Sequence, residues 1–280
     1  MTNTNIDVRD VQMKILDIMK HIDKVCRKNG ITYYVMGGTA LGAIRHGGFI
    51  PWDDDLDIFM TPQEYERFKQ AMADDGNGKF VIQEWKTTSR YLEYAKVRMN
   101  GTTFIEEAFK DRKDLHQGIY VDIMILHKVP NNKLIQHIVY YESKFVTLYG
   151  LSQRNWKPKT AVQAMVLKSL ALLPCKLMAR MAYRQIYKYD NMEKAFRYCY
   201  WITPAKFRAG LFEEDFFNHP VDIPFEDTML MGSAHIKEYL KYRYGDYMQL
   251  PPEEKRRAAV HAYYYNTEKD YSEYVGRKGI

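Results

Sequence analysis

Between Val35 and Met60 the chain reads VMGGTALGAIRHGGFIPWDDDLDIFM, which sets two glycine pairs and four aspartates in one short stretch. Like charges repel, and a carboxylate taken out of water without a partner costs free energy. A fold that gathers these acids beside an apolar, strand-like run therefore needs positive charge for them. The flanking pattern constrains the local architecture. ITYYVM reads as a strand that runs straight into Gly37-Gly38. A short helix is expected from Thr39 to His46 with Thr39 as its N-cap, after which Gly47-Gly48 turns the chain back. LDIFM then reads as a second strand. Period-two alternation puts Asp55 and Asp57 on one face and Leu56 and Ile58 toward the core.

The surrounding pattern gives an α+β fold. From Asp7 to Asn29, Val8, Val11, Ile15, Ile18, Met19, Ile22 and Val25 recur at helical spacing, and Gly30 is placed to end that helix. Thr61-Pro62-Gln63-Glu64 has the form of a capping box with proline in the first turn. Strands are expected near Phe80 to Gln83, Tyr94 to Met99 and Ile119 to Leu126, followed by a mostly helical region from Asn131 to about Asp190 and a helix near His235 to Tyr244. The expected architecture is a small mixed β-sheet flanked by helices over 1–130. A mainly helical portion over 131–280 completes the cleft, either as a second domain or as one continuous core.

Composition narrows the class. With 280 residues, 46% of them hydrophobic and 27% charged, the chain has material for a sizeable globular core. The net charge of +6 arises mainly in the second half and fits anionic partners. No dense Lys/Arg block or nucleic-acid-reading motif is present, which argues against nucleic acid. Cys26, Cys175 and Cys199 lack metal-ligand spacing and read as reduced thiols in a cytoplasmic protein. The N-terminus has neither an apolar core nor a basic start. The segment from Thr160 to Tyr183 is apolar but interrupted by Lys168, Lys176, Arg180 and Pro174. It is expected as a packed helix pair kinked at Pro174, with a membrane-surface position at the inner face as the alternative.

The acids and glycines suggest phosphate chemistry. Two carboxylates two residues apart on a strand face suit Mg²⁺, which completes its shell with water and substrate phosphates. In GIYVDIMIL, Ile119, Val121, Ile123 and Ile125 form one apolar face, so Asp122 lies on the other. Three converging carboxylates at Asp55, Asp57 and Asp122 can hold two Mg²⁺ or Mn²⁺ ions. Backbone N–H groups of Gly37 and Gly38 at a helix start can approach a phosphate closely. Arg45 and His46 at the following turn are placed to contact phosphate oxygens. The spacing of an EF-hand is missing, and Asp53 and Asp54 fit a solvated acidic turn equally well.

The stretch GGTALGAIRHGGFIPWDDDLDI resembles the signature of the LicD-type phosphorylcholine transferases, within the nucleotidyltransferase-fold superfamily. YAKVRMNGTTF, IPFEDTML and YLKYRYGDYMQLPPEEKR are similar to further blocks of that family, whereas about Tyr140 to Ala195 matches none of them. The resemblance implies Mg²⁺-dependent transfer of phosphocholine from CDP-choline, or a related CDP- or CMP-activated donor, to a hydroxyl of a glycan or lipid-linked glycan. It implies Asp55 and Asp57 as metal ligands and Asp122 as third ligand and base. Lys96, Arg98 and Arg45 would neutralise the diphosphate, and Gly37, Gly38, Thr39, His46 and Trp52 complete the substrate-binding set. Tyr34, Trp52, Trp85 and Tyr120 are candidates for an aromatic cage around a quaternary ammonium group, although core packing suits each of them. Glu226, Asp227, Tyr244 and Asp246 lie in the matched C-terminal blocks, as cleft lining or as turn residues.

The same acids serve nucleotidyl transfer with pyrophosphate as leaving group, and phosphoethanolamine or aminoethylphosphonate as cargo. A non-catalytic glycan-binding module is the third reading, disfavoured because no acid of the set has been lost.

Overall fold

The computed structural model describes residues 8–84, 94–110, 112–153, 158, 160–172, 175–194, 196–203, 206–257 and 261–274. Elements follow in the order α1 (Val8–Lys28), β1 (Tyr34–Val35), α2 (Gly37–His46), β2 (Asp57–Met60), α3 (Pro62–Asp75), β3 (Phe80–Gln83), β4 (Ala95–Met99), β5 (Thr103–Glu106), β6 (Tyr120–Ile125) and β7 (His127–Val129). Then come α4 (Lys133–Ser152), α5 (Ala161–Leu172), α6 (Lys176–Tyr187), β8 (Arg197–Cys199), β9 (Leu211–Glu213), β10 (Pro220–Phe225), β11 (Thr228–Ser233), α7 (Ile236–Tyr244), α8 (Glu253–Arg257) and β12 (Ala262–Asn266). The fold is α+β, as the patterning implies.

Residue contacts divide the chain into two units. One comprises Met1–Gln83, Lys96–Ile123 and Asp215–Ile280, the other Glu84–Ala95 and Met124–Glu214. This differs from a single boundary near 130. The last third is not mainly helical: it returns to the first unit with the β10–β11 hairpin and with β12, which pairs antiparallel with β5 through Tyr265 opposite Phe104. Long-range strand pairing of this kind leaves no trace in local periodicity.

In the first unit a five-stranded sheet runs in the order β1-β2-β6-β4-β3. β1 pairs antiparallel with β2 through Val35 opposite Ile58, and β3 pairs antiparallel with β4 through Gln83 opposite Lys96. The apolar stripe of α1 supplies Val11, Ile15, Ile18, Met19, Ile22 and Val25 to the core. Thr61 caps α3 by accepting a hydrogen bond from the Glu64 N–H at 3.3 Å, with Pro62 in the first turn. α2 behaves differently. It starts at Gly37, two residues ahead of Thr39, with Met36 at the cap position and no side-chain cap. Gly37 has φ +53°, a conformation that favours glycine. Thr39 thus falls inside the first turn, and its hydroxyl accepts the Asp57 N–H at 2.8 Å. The predicted cap is instead a tie between α2 and β2.

In the second unit, Asn132 caps α4 by accepting from the Leu134 and Ile135 N–H groups. α4 packs against α5 and α6, and β7, β8 and β9 form a small antiparallel sheet. Its core includes Val129, Val139, Val146, Ile186, Trp201 and Leu211. His127 Nδ1 meets Asp190 Oδ2 at 2.8 Å, both side chains buried, and Asp190 also accepts the Lys128 N–H. The predicted helix pair is present as α5 and α6, with Pro174 outside the described residues. Leu167 is the buried residue of α5, so this helix is far less covered than a packed one. No single described helix is long and apolar enough to cross a membrane; only Ala161–Leu172 and Lys176–Asn191 together, bent by 100°, reach that length. The three cysteines are buried with no disulfide among them.

Candidate active site

The acids lie at the start of β2, which sits between β1 and β6 in the sheet. Leu56 and Ile58 are fully buried on one side, so Asp55 and Asp57 take the other by alternation. The Asp122 N–H donates to the Leu56 carbonyl at 2.9 Å, which fixes β6 beside β2 and sets Asp122 next to the Asp55/Asp57 pair. The loop before them is clamped from α1: buried Gln12 donates from Nε2 to the carbonyls of Ile50 and Asp53, at 3.0 and 2.8 Å.

Electrostatics show how closely these carboxylates are gathered. Burial, then Asp55, Asp122 and Asp53, push the Asp57 carboxyl well above the ordinary carboxylate range. Burial also raises Asp55, with His261 opposing it. Asp53 rises to about 8 through burial and Asp55, with which it shares a hydrogen bond. Asp57 Oδ1 is shut off from solvent and has no hydrogen-bond partner. A buried carboxylate oxygen left in that state is costly unless a cation or a proton reaches it.

Asp122 does have a cation. Lys96 Nζ lies 2.9 Å from its Oδ1 and donates a hydrogen bond to Oδ2 at 3.3 Å, with the Lys96 and Asp122 side chains only 1% and 7% exposed. Burial raises Asp122 to about 6 despite Lys96, which pulls the other way. The same ammonium sits 3.3 Å above the Tyr120 ring, and Arg98 lies 4.8 Å from it. Arg98 donates to Gln83 at 2.8 Å and to the Gly118 carbonyl at 2.7 Å. All of β4 is buried, so Lys96 and Arg98 share a face as predicted, but that face is interior. Period two assigns side chains to a face without telling what covers it.

Among the described residues no three His, Cys, Asp or Glu side chains are grouped as a ready metal cage. The donor set instead fits a hard cation on one or two carboxylates, the usual protein share of a Mg²⁺ shell. Of the three carboxylates expected to converge, Asp55 and Asp57 would be those two, with the unpartnered Asp57 Oδ1 as the strongest sign, whereas Asp122 is engaged by Lys96.

Asp54 has a structural task. Only 1% exposed, it accepts from the backbone N–H groups of His261 and Ala262 at 2.8 and 3.0 Å and pairs with His261 Nδ1 at 2.9 Å. It is not part of a solvated turn but anchors the start of β12. His261 is raised to about 9, chiefly by this hydrogen bond, and lies 3.7 Å from Asp55 Oδ2. Nothing local in the sequence joins positions 207 apart.

The glycine turn is also furnished from afar. Gly37 N–H donates to the Tyr239 hydroxyl at 3.1 Å, and a Cβ on Gly38 would come within 2.7 Å of Asp53 Oδ2. Tyr244 lies near Gly37, and burial is the first cause raising its phenol, with Asp57 adding to it. Arg45 donates to the Tyr247 carbonyl at 3.0 Å and to His46 at 3.0 Å. His46 meets Trp52 edge-on at 6.0 Å, and Arg256 lies 5.3 Å from the Trp52 ring. Glu226, at φ +54°, accepts from Arg9 and from the Phe49 N–H, holding the Gly47-Gly48 loop. Asp227 pairs with Lys20 at the surface, and Asp246 accepts the Gln249 N–H in a turn. Of the aromatic candidates, Tyr34 is buried with its hydroxyl on the Phe217 carbonyl, Tyr120 underlies Lys96, and Trp85 lies outside the described residues. Sequence reasoning missed His261, Tyr239, Arg256 and Gln12, each brought in by tertiary contact.

Comparison with known proteins places this geometry in context. The family described as LicD/FKTN/FKRP, nucleotidyltransferase domain, matches residues 30–147, which contain the glycine turn and all of Asp55, Asp57 and Asp122. The chain is 28% identical over 256 residues to the lipopolysaccharide cholinephosphotransferase LicD of Haemophilus influenzae, spanning 90% of this chain and 95% of that protein. It is 26% identical over 144 residues to an uncharacterized protein of Rickettsia prowazekii, half of each chain. A segment of 39 residues is 44% identical to the human ribitol 5-phosphate transferase FKRP, covering 14% of this chain and 8% of that protein.

Proposed function

We propose, from its likeness to the LicD family, that this chain is a member of that family and transfers phosphocholine from CDP-choline to a hydroxyl of a cell-surface or lipid-linked glycan, with a divalent cation. The observation that carries this reading is the buried, unpartnered Oδ1 of Asp57 among carboxylates that raise one another. Such a cluster is poorly stable alone and suited to Mg²⁺ or Mn²⁺.

In this reading Asp55 and Asp57 hold the cation, which when bound offsets the charge of the donor diphosphate. Asp122, at about 6, is poised to take a proton near neutral pH and serves as base toward the acceptor hydroxyl. The acceptor oxygen attacks the phosphorus that carries choline, the bond from that phosphorus to the bridging oxygen breaks, and CMP leaves. Arg45 and His46, beside Trp52 and Arg256, form the basic and aromatic rim for the donor, and the α2 N-terminus offers the Gly38 backbone amide, since the Gly37 N–H, also expected to serve, is already taken by the Tyr239 hydroxyl. The work of the protein is positioning and charge neutralisation, as expected for phosphoryl transfer.

Incubation of the purified chain with Mg²⁺, CDP-choline and a glycan acceptor tests the proposal. Release of CMP with choline on the glycan supports it. Pyrophosphate from a nucleoside triphosphate in place of CMP identifies a nucleotidyltransferase, transfer of ethanolamine phosphate or a phosphonate alone replaces the cargo, and glycan binding without turnover contradicts an enzymatic role.

A further inference from the structure

The helical unit concentrates cationic charge. From Ser143 to Tyr189 the chain carries nine Lys or Arg and no Asp or Glu. That exceeds the net charge of +6 for the whole protein, so the remainder is net acidic. Within this stretch, α5 and α6 turn apolar side chains outward. On α5, Val162, Met165 and Leu172 are 66%, 64% and 77% exposed. On α6, Ala179, Ala182 and Ile186 face inward, while Leu177, Met178 and Met181 are each more than half exposed. Exposed Lys168, Arg180 and Arg184 are interleaved with them.

A helix that is apolar on every side ordinarily lies buried in protein or lipid. α5 has that composition and one buried residue, Leu167, so water is an unfavourable neighbour for most of its surface. A second copy is a poor cover, because a self-complementary contact would set the cations of one α5–α6 face against the same cations of the other. A surface with apolar depth and negative charge satisfies both features at once.

We propose that the outer face of α5 and α6 docks onto an anionic phospholipid membrane. Leu172, Leu177 and Met181 enter the boundary between headgroups and acyl chains, and Lys168, Arg180 and Arg184 meet the phosphates. The unit lies on the membrane rather than spanning it. This goes beyond the transfer chemistry, because docking needs neither donor nor cation. Any acceptor attached to lipid would thereby be met at the surface that holds it.

Flotation of the full chain with vesicles provides the test, using phosphatidylcholine alone and phosphatidylcholine enriched in phosphatidylglycerol, without nucleotide or added metal. The chain is expected to float with the anionic vesicles, and raised salt should weaken that binding. Substituting Lys168, Arg180 and Arg184 together by Gln should lower partitioning to anionic vesicles roughly 100-fold, at about fivefold for each charge near the surface. Substituting Leu172, Leu177 and Met181 together by Gln should lower it at least about tenfold. These side chains are exposed, and unchanged circular dichroism and melting would show that the variants fold. The proposal is overturned if the parent chain stays unbound, if both triple variants float like the parent, or if sedimentation shows self-association that the variants abolish in place of vesicle binding. Failure here leaves CMP release unaffected, so the two proposals fail separately.

Discussion

In the unit that bears Asp55 and Asp57, charge is inside: Lys96, Arg98, Asp54 and Asp122 are nearly or fully buried and each has a named partner. In the helical unit, apolar groups are outside, with cations between them. Both departures from the ordinary rule cost stability; in the first unit the named pairs offset that cost except at the Asp57 Oδ1 atom, which has no hydrogen-bond partner. In the proposed reading the first unit takes a small cation and an anionic substrate. The proposed counterpart of the second is an extended surface. The contrast teaches that an interior irregularity points to a ligand of ångström size, whereas an exterior one points to a partner as wide as the helices.

The largest expected effect is on turnover. Asp57→Asn should lower transfer by about 10³-fold or more, the scale of losing a principal charge-stabilising group, while circular dichroism stays unchanged and the melting temperature of the metal-free chain holds or rises. Near-normal turnover would remove Asp57 from the mechanism and leave the interior irregularity unexplained.

Next in size is Lys96→Met. It strands Asp122 as a buried carboxylate, and removal of one partner of a buried pair costs about 3–5 kcal/mol. Urea unfolding at pH 8 should show that loss, reduced at pH 5 where Asp122 accepts a proton. An equal loss at both pH values would show that the ammonium acts by packing on Tyr120 rather than by charge.

Asp54→Ala should cost about 1–3 kcal/mol, because two backbone N–H groups lose their acceptor. NMR titration should find His261 falling from about 9 toward its ordinary value near 6.5. A His261 value unmoved in the variant would assign the shift to Asp55 instead.

The most diffuse effect, spread over three groups, is a pH trend. Asp53 at about 8 and Asp122 at about 6 lie above the unfolded carboxylate value of 3.8, so between these values the folded chain binds more protons and loses stability as pH rises. The His261 contribution runs the same way: fully present below 6.5, it is lost as pH climbs through about 9. In chelator the melting temperature should therefore drop from pH 5.5 to 8.5, and Mg²⁺ should restore more of it at the higher pH. A flat or rising profile would mean that the acids are less crowded than their burial implies.

The division between what the sequence made legible and what it did not follows the range of the interactions. Asp55, Asp57 and Asp122 stand out because acids interrupt strongly apolar strands, and the structure sets β2 beside β6. The Thr61 cap and α1 are equally local and were readable. Thr39 misled because Gly37, taking a positive φ, lets the helix begin before it. Lys96 and Arg98 were placed on the right face, yet whether that face is open depends on what covers it: Tyr120, Gln83 and Gly118. Asp54 and His261 met only through the return of β12, which no window of sequence contains.

Titration of the full chain with Mn²⁺, followed by electron paramagnetic resonance, tests the central claim directly. The parent chain is expected to remove the aqueous Mn²⁺ signal, Mg²⁺ to reverse the loss, and Asp57→Asn no longer to produce it. A parent chain that leaves the signal intact even with donor nucleotide present, or a variant that binds as well as the parent, would contradict that claim.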